Sequence, residues 1–215
     1  MKIAASILNN PELDAWLKFS SIGVLTVFTG KVELGQKITT ALALIAAEEL
    51  YIDFKRIQIA KANTYFGPEE QPTVGSNSIE ESGEAVRQAS ATARNILLNM
   101  ASKKLNESID RLEIKDGNIR SIINDNLTSY WDLIGDKKFN HIIDKFPILK
   151  NVEDYQILGK ENFSKGFENI MCGEEIFIHD LEFPKMLHAR VIRPPFYSAR
   201  IVNVDFEKVK SMNDI

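Results

Sequence analysis

The stretch Gly23–Leu50 constrains the fold more than any other part of this sequence. It begins with GVLTVFTGK, a β-branched and aromatic run that predicts a strand. It passes through Gly30-Lys31-Val32-Glu33-Leu34-Gly35 into QKITTALALIAAEEL. There Ile38, Ala41, Leu42 and Ile45 mark one helical stripe, and Leu44 and Ala46 widen it, so this helix should be covered on most sides. Strand, glycine turn and helix in succession is the layout of a phosphate-binding loop. A Walker A loop, however, needs Gly, four residues, then Gly-Lys-Ser/Thr without interruption. Here Gln36 separates Gly35 from Lys37, and Ile38 stands where a magnesium-binding hydroxyl belongs. An ATP or GTP loop is therefore not the reading.

The physics of a helix start survives the loss of that motif, because unpaired N–H groups at a helix amino end favour an anion. Two such starts are visible: Gly35-Gln36, and Gly75-Ser76-Asn77-Ser78. Glycine permits close approach, and Ser and Gln offer neutral donors. On spacing alone, Gly35 reads equally as a turn glycine and Ser78 as a cap. Ser78 and Glu81 fit a capping box, followed by a long helix with Ile79, Gly83, Val86, Ala93, Leu97, Met100 and Leu105 on one face. RIQIAKA (56–62) alternates as a second strand. LEIK and NIRSI flank Asp116-Gly117, a hairpin turn. The expected fold class is α+β, with mixed strands around two main helices in residues 1–123.

Residues 124–152 carry short apolar clusters and read as a connection with a helical turn or two. From 153 to 215 the expectation is the beginning of a small β-rich domain, with two strand candidates divided by Pro194-Pro195. The single cysteine, Cys172, excludes an internal disulfide and a cysteine-ligated cluster built from this chain alone, and is expected to be a small core residue. A net charge of −4 gives no reason to expect nucleic acid. No apolar run reaches membrane-spanning length, and the amino terminus lacks the apolar region of a secretory signal. The chain is expected to be cytoplasmic, with no membrane partner. His141 and His179 lack partners at ligand spacing. Glu48 and Glu49 of IAAEEL, and the acidic residues of HDLEF, are expected to be ordinary surface charge.

Taken in order, VFTGKVELGQKITTALALIAAEEL, PTVGSNSIEESGEAVRQASATAR and FPKMLHARVIRPP resemble the molybdenum hydroxylases of the xanthine dehydrogenase and aldehyde oxidase type, in particular the large subunits of bacterial nicotinate and isoquinoline oxidoreductases. The resemblance runs over roughly residues 10–209 and is weakest between 124 and 151. It implies that Gly35 and Gln36 contact molybdopterin, and that Thr73, Gly75, Ser76 and Ser78 match the family's Thr-x-x-Ser-x-Ser turn, which holds the pterin and phosphate end. The implied cofactor is molybdopterin, its cytosine dinucleotide form included, held only in a completed enzyme. His188 and Arg190 fall on a strand with an architectural role. Lys37 replaces the family's glycine after Gln36 and is expected to point to solvent. Glu69-Glu70 bring negative charge towards the supposed anion site.

The family's glycine-rich segment and its catalytic glutamate have no counterpart here, so no catalytic residue and no metal ligand is assigned. The resemblance implies an amino-terminal portion of the large subunit, without turnover alone, completed by the remaining large-subunit domains or a complementary subunit and an iron–sulfur subunit. Such an enzyme hydroxylates an aldehyde or N-heterocycle with oxygen from water. The competing reading is a non-enzymatic module for subunit assembly or homo-oligomerisation. The first predicts a broad exposed apolar surface, the second a polar one. The cofactor reading also requires that the two helix starts, with Gln36 and Ser76, come together.

Overall fold

A computed structural model of the chain describes residues 2–212, which fall into two units, Met1–Met171 and Cys172–Ile215. The first unit opens with α1 (Ala5–Asn9) and two strands, β1 (Leu17–Phe19) and β2 (Leu25–Val27). Helix α2 (Ile38–Leu50) leads to β3 (Ile57–Ile59), and a π-helical turn (Ser78–Gly83) leads into α3 (Glu84–Leu105). A second sheet follows, β4 (Leu112–Lys115), β5 (Asn118–Ser121) and β6 (Leu127–Ser129), and then α4 (Tyr130–Leu133) and α5 (Phe167–Met171). Helices beside two three-stranded sheets make the α+β class expected from the sequence.

The sequence expectation for the strand–helix–strand unit is met with shorter strands. β2 pairs antiparallel with β1 (Leu17 opposite Val27) and parallel with β3 (Leu25 opposite Ile57), and α2 provides the crossover that a parallel pair needs. β4, β5 and β6 form an antiparallel meander turned at Asp116-Gly117, both at positive φ (47° and 71°), as a two-residue hairpin of the primed type requires. β1 and β6, each three residues long, were not evident from periodicity. Such short strands carry too little alternation to be distinguished from a loop.

The core lies where α2 and α3 pack on each other and on the first sheet. Ala43, Ala46 and Ala47 of α2 and Ala85, Ala89 and Ala93 of α3 are fully buried, so small side chains let the two backbones approach. A β-carbon at Gly83 would lie 3.2 Å from Ile45 Cδ1, tighter than ordinary packing. Ile45 thus meets position 83, and Glu49 meets Arg87 at 2.9 Å, so the contacts advance in the same sense along both helices, with the start of α3 lying beside the second half of α2. An aromatic cluster closes the other side of the core: Phe19 lies 5.9 Å from Tyr130, 5.5 Å from Trp131 and 5.7 Å from Phe139.

Several expectations are corrected. The capping box does not form: Asn77 occupies the position before the turn and makes no side-chain cap bond, and the chain winds as a π turn from Ser78. A π turn advances through less angle per residue than an α-helix, so Ile79 leaves the buried stripe and stands 50% exposed. Cys172 is exposed, not core. No strand is assigned among the described residues after Ser129, including the two candidates around Pro194-Pro195. Strand ladders need a partner for their backbone groups, and this stretch is exposed throughout.

The largest correction concerns Glu48 and Glu49. Both are buried, each with its side chain 1% exposed. Glu49 accepts from Arg87 Nε (2.9 Å), Arg94 (2.7 Å) and the Lys150 backbone N–H. Glu48 pairs with Lys150 Nζ at 2.5 Å and accepts from the backbone N–H groups of Gln156, Ile157 and Leu158. Burial pushes the Glu48 carboxyl up, but the Lys150 ammonium and the three amides outweigh it and hold its pKa below the ordinary value. The segment read as a loose connection is thereby fastened to α2 by carboxylate hydrogen bonds. Removing one partner of a buried pair costs about 3–5 kcal/mol, whereas an exposed pair contributes under about 1 kcal/mol. In urea denaturation, Glu49→Ala should lower unfolding free energy by about 3 kcal/mol or more. Glu113→Ala, which breaks the exposed pair with Arg120, should change it by under about 1 kcal/mol.

Candidate functional site

The alternation that begins in β2 continues past its end. Leu25, Val27, Thr29 and Lys31 all face inward, and the Lys31 side chain is fully buried. The chain beyond β2 is then laced to the chain ahead of the π turn, residue by residue. Gly30 N–H donates to Glu70 Oε2 at 2.8 Å, Lys31 Nζ donates to the Gln71 carbonyl at 2.7 Å, and Val32 N–H donates to Thr73 Oγ1 at 2.9 Å. Glu70 also accepts from the Thr29 hydroxyl (2.7 Å) and the Ser82 hydroxyl (2.5 Å), tying the loop to the start of the second helix. The negative charge of Glu70 is taken up by these donors and not left free beside the loop. Gly30 is required here, since a β-carbon would meet Glu70 Cβ and the Pro68 carbonyl at 3.0 Å.

The two loops that carry the six candidate residues, Gly35 and Gln36 on one, Thr73, Gly75, Ser76 and Ser78 on the other, are therefore joined directly. The loops differ in what they offer. At the first, the seat for an anion at the amino end of α2 is filled from within the chain. Glu33 Oε1 accepts from Gly35 N–H and Lys37 N–H at 2.9 Å each, and Glu33 Oε2 accepts from the Thr39 hydroxyl at 2.8 Å and its N–H at 3.3 Å. The Gln36 amide closes its own turn, accepting from Leu34 N–H (2.6 Å) and donating to the Val32 carbonyl (2.9 Å). Gly35 is exposed at φ +99° with open space beside it. The residues of this loop do not fit an anion cradle in this arrangement.

The second loop does fit one. Gly75 and Ser76 both adopt positive φ (67° and 59°) and Asn77 returns to the right-handed region with its N–H donating to the Val74 carbonyl at 3.4 Å, so the turn carries Gly75 and Ser76 at its apex. Gly75 and Ser76 are exposed, and Ser78 is half-buried at the head of the π turn. The Thr73 hydroxyl accepts from Val32 N–H and keeps its own proton to donate. Neutral donors at a helix start, held on a fixed loop, suit a phosphate-bearing ligand.

Sequence reasoning passed over Lys31, Glu33 and Glu48/Glu49. Signals for two of them existed. Carrying the strand alternation beyond Val27 puts Lys31 on the inner face, and carrying the stripe Ile38, Leu42, Ile45 one step further reaches Glu49. Glu33 carried no such signal, because its role appears only when the turn closes on it.

The resemblance implies a glycine at position 37, and the backbone there suits one. Lys37 sits at φ 65°, a left-handed conformation that glycine takes without steric cost. Its side chain is half-buried, not fully turned to solvent. Lys37→Gly should leave the fold intact and raise unfolding free energy by up to about 1 kcal/mol in denaturant titration. Burial alone would raise the Glu33 pKa, yet the amides of Lys37, Thr39 and Gly35 and the Thr39 hydroxyl outweigh it and hold the carboxyl below its ordinary value. Its contribution is therefore present above the ordinary glutamate value and is lost as pH falls through the lower folded value. At neutral pH, Glu33→Gln should speed amide exchange at 35–39 about tenfold, the loss of one charge-assisted bond, in hydrogen-exchange measurements.

The family model of the molybdopterin cofactor-binding domain matches residues 2–170. The chain is 35% identical over 186 residues to a component of the nicotinate dehydrogenase of Pseudomonas putida, covering 86% of this chain and 16% of that protein. It is 24% identical over 221 residues to the beta subunit of isoquinoline 1-oxidoreductase of Brevundimonas diminuta, covering 85% of this chain and 28% of that protein. Among solved structures, it is similar to CO dehydrogenase from Oligotropha carboxidovorans, with TM-score 0.49 and 24% identity over 54% of this chain and 15% of that one. Quinoline 2-oxidoreductase from Pseudomonas putida 86 gives TM-score 0.46 at 19% identity, over 54% of this chain and 15% of that chain. The chain thus spans a small part of the length of the relatives it matches.

Proposed function

The chain belongs to the molybdopterin cofactor-binding domain family of the molybdenum hydroxylases, and from that premise we propose that it supplies one wall of a cofactor site, gripping the phosphate-bearing end of molybdopterin on the Thr73–Ser78 loop. The observation that carries this reading is the loop's geometry. Left-handed Gly75 and Ser76 stand exposed at a helix start, pinned by Val32 N–H to Thr73 Oγ1 at 2.9 Å. When bound, molybdopterin, in its plain or cytosine dinucleotide form, supplies the molybdenum at which a substrate carbon is oxidised with oxygen from water.

The residues of this chain bind and orient. Ser76 and Ser78 offer hydroxyl protons, Thr73 offers a third, and the backbone of Gly75 and Ser76 lets a ligand come close without a β-carbon at position 75. Gln36 and Gly35 act differently: with the Gln36 amide closing its own turn, they form the adjoining rim and not the phosphate grip. The reaction class is hydroxylation of an aldehyde or N-heterocycle by a complete enzyme in the cytoplasm. This chain contributes the grip, other large-subunit domains or a complementary subunit contribute the catalytic base, and an iron–sulfur subunit takes the electrons.

The unit Cys172–Ile215 favours an assembly over a self-sufficient module. Leu187, Ile192, Tyr197 and Val202 are each more than nine-tenths exposed, and Phe183, Val191, Phe196 and Ile201 are more than half exposed. So much apolar side chain in one stretch without regular structure marks a surface meant to be covered. Among the described residues, no helix is long and apolar enough to cross a membrane.

The test is pterin and molybdenum analysis of the chain purified with its neighbouring gene products. Ser76→Ala should lower pterin per chain about tenfold, the loss of roughly one hydrogen bond to a charged group, with the denaturation midpoint unchanged. Wild-type retention in Ser76→Ala, or a wild-type complex without pterin, would reject the assignment.

A further inference from the structure

We infer that Lys31 is the positioning residue of the Thr73–Ser78 loop, a buried cation that holds the loop from beneath and lends positive charge to a cradle built from neutral donors. The inference rests on the reading of that loop as a phosphate grip. The Lys31 side chain has no exposed surface. Burying an ammonium is costly unless it is hydrogen-bonded and paired. Its one close partner is the Gln71 carbonyl at 2.7 Å, with the Pro72 carbonyl at 3.4 Å and Glu81 Oε2 at 3.7 Å, on a residue one-third exposed. The charge is therefore stabilised by the loop's carbonyls together with the Glu81 carboxylate, and the loop in turn cannot leave without taking its hydrogen bonds from the buried ammonium.

Two features make this a matter of the ligand side of the loop and not of packing alone. The first is direction. In a trans peptide the C=O and N–H point opposite ways, and the chain has no cis bond among the described residues. With the Pro72 carbonyl turned towards the ammonium, Thr73 N–H is turned away from it. Pro72 O also accepts from Val74 N–H at 2.9 Å, so this carbonyl fixes the turn that leads into Gly75 and Ser76. The second is register. Lys31 stands between Gly30, whose N–H holds Glu70, and Val32, whose N–H holds Thr73. The three contacts hold 70, 71–72 and 73 in order, and the Lys31 contact is the only cationic one of the three. A cation in a region shielded from water acts more strongly on a nearby anion than one in solvent.

The experiment compares Lys31→Met and Lys31→Arg in the full chain, co-purified with its partners. It uses peptide-resolved hydrogen exchange and molybdopterin content measured after oxidation to its fluorescent form. Lys31→Met should speed exchange over 71–78 about tenfold, leave α2 and α3 within about twofold, and lower pterin per chain about tenfold. Lys31→Arg, which keeps the cation, should stay within about threefold of the wild type in both readouts. Unchanged exchange over 71–78 in Lys31→Met overturns the assignment, as does equal loosening of α2 and α3, which is what a merely structural residue gives. A tenfold loss in both readouts for Lys31→Arg also overturns it. If the wild-type complex holds no pterin, the functional reading fails while the exchange comparison still decides whether Lys31 orders the loop.

Discussion

Two adjacent carboxylates inside the first unit, Glu48 and Glu49, tie together three of its parts, α2, α3 and the segment after the second sheet. An unpaired buried carboxylate costs several kcal/mol, so the fold is obliged to bring donors to them. Arg87 and Arg94 come from the neighbouring helix, and Lys150 with the amides of Gln156, Ile157 and Leu158 comes from the segment after the second sheet. Alanine-rich packing brings α2 and α3 together without dictating their direction. Glu49 with Arg87 and Arg94 ties the last turn of α2 to the first half of α3.

The two loops ahead of the helices are held by polar contacts of a different kind. Glu70, Lys31 and Thr73 hold two loops side by side through hydrogen bonds to backbone as well as side chains. Hydrogen bonds fix position more sharply than apolar contacts do, because they weaken steeply with angle and distance. A loop meant to present hydroxyl and amide donors in fixed directions is well served by such anchoring. The cost is strain at few places, of which the left-handed Lys37 is one.

The two loops show how similar local chemistry leads to different capacities. Both precede helices, and both contain glycine at positive φ. At the first, an internal carboxylate already satisfies the amides, so the positive end of α2 is neutralised by Glu33. At the second, the residues nearest the turn are small, hydroxylated and exposed. Helix starts by themselves therefore do not define an anion site; what decides is whether the chain fills the seat with its own side chain.

The sequence by itself determined the α+β class, the strand–helix–strand unit, the Asp116-Gly117 hairpin and the presence of two glycine-containing turns ahead of helices. Each rests on local periodicity or on a turn residue, and such signals act within a few residues of one another. Only the tertiary structure decided that Glu48 and Glu49 are a buried hub, that Glu33 fills the first helix start, and that Lys31 lies under the second loop. Lys31 and Glu48 depend on partners from 40 to about a hundred residues away, as with Gln71 and Lys150, and Glu33 on a turn whose closure brings Gly35, Lys37 and Thr39 onto it. A charged side chain reads the same in a sequence whether water or a distant arginine satisfies it, and only the folded chain supplies the partner that makes its burial possible.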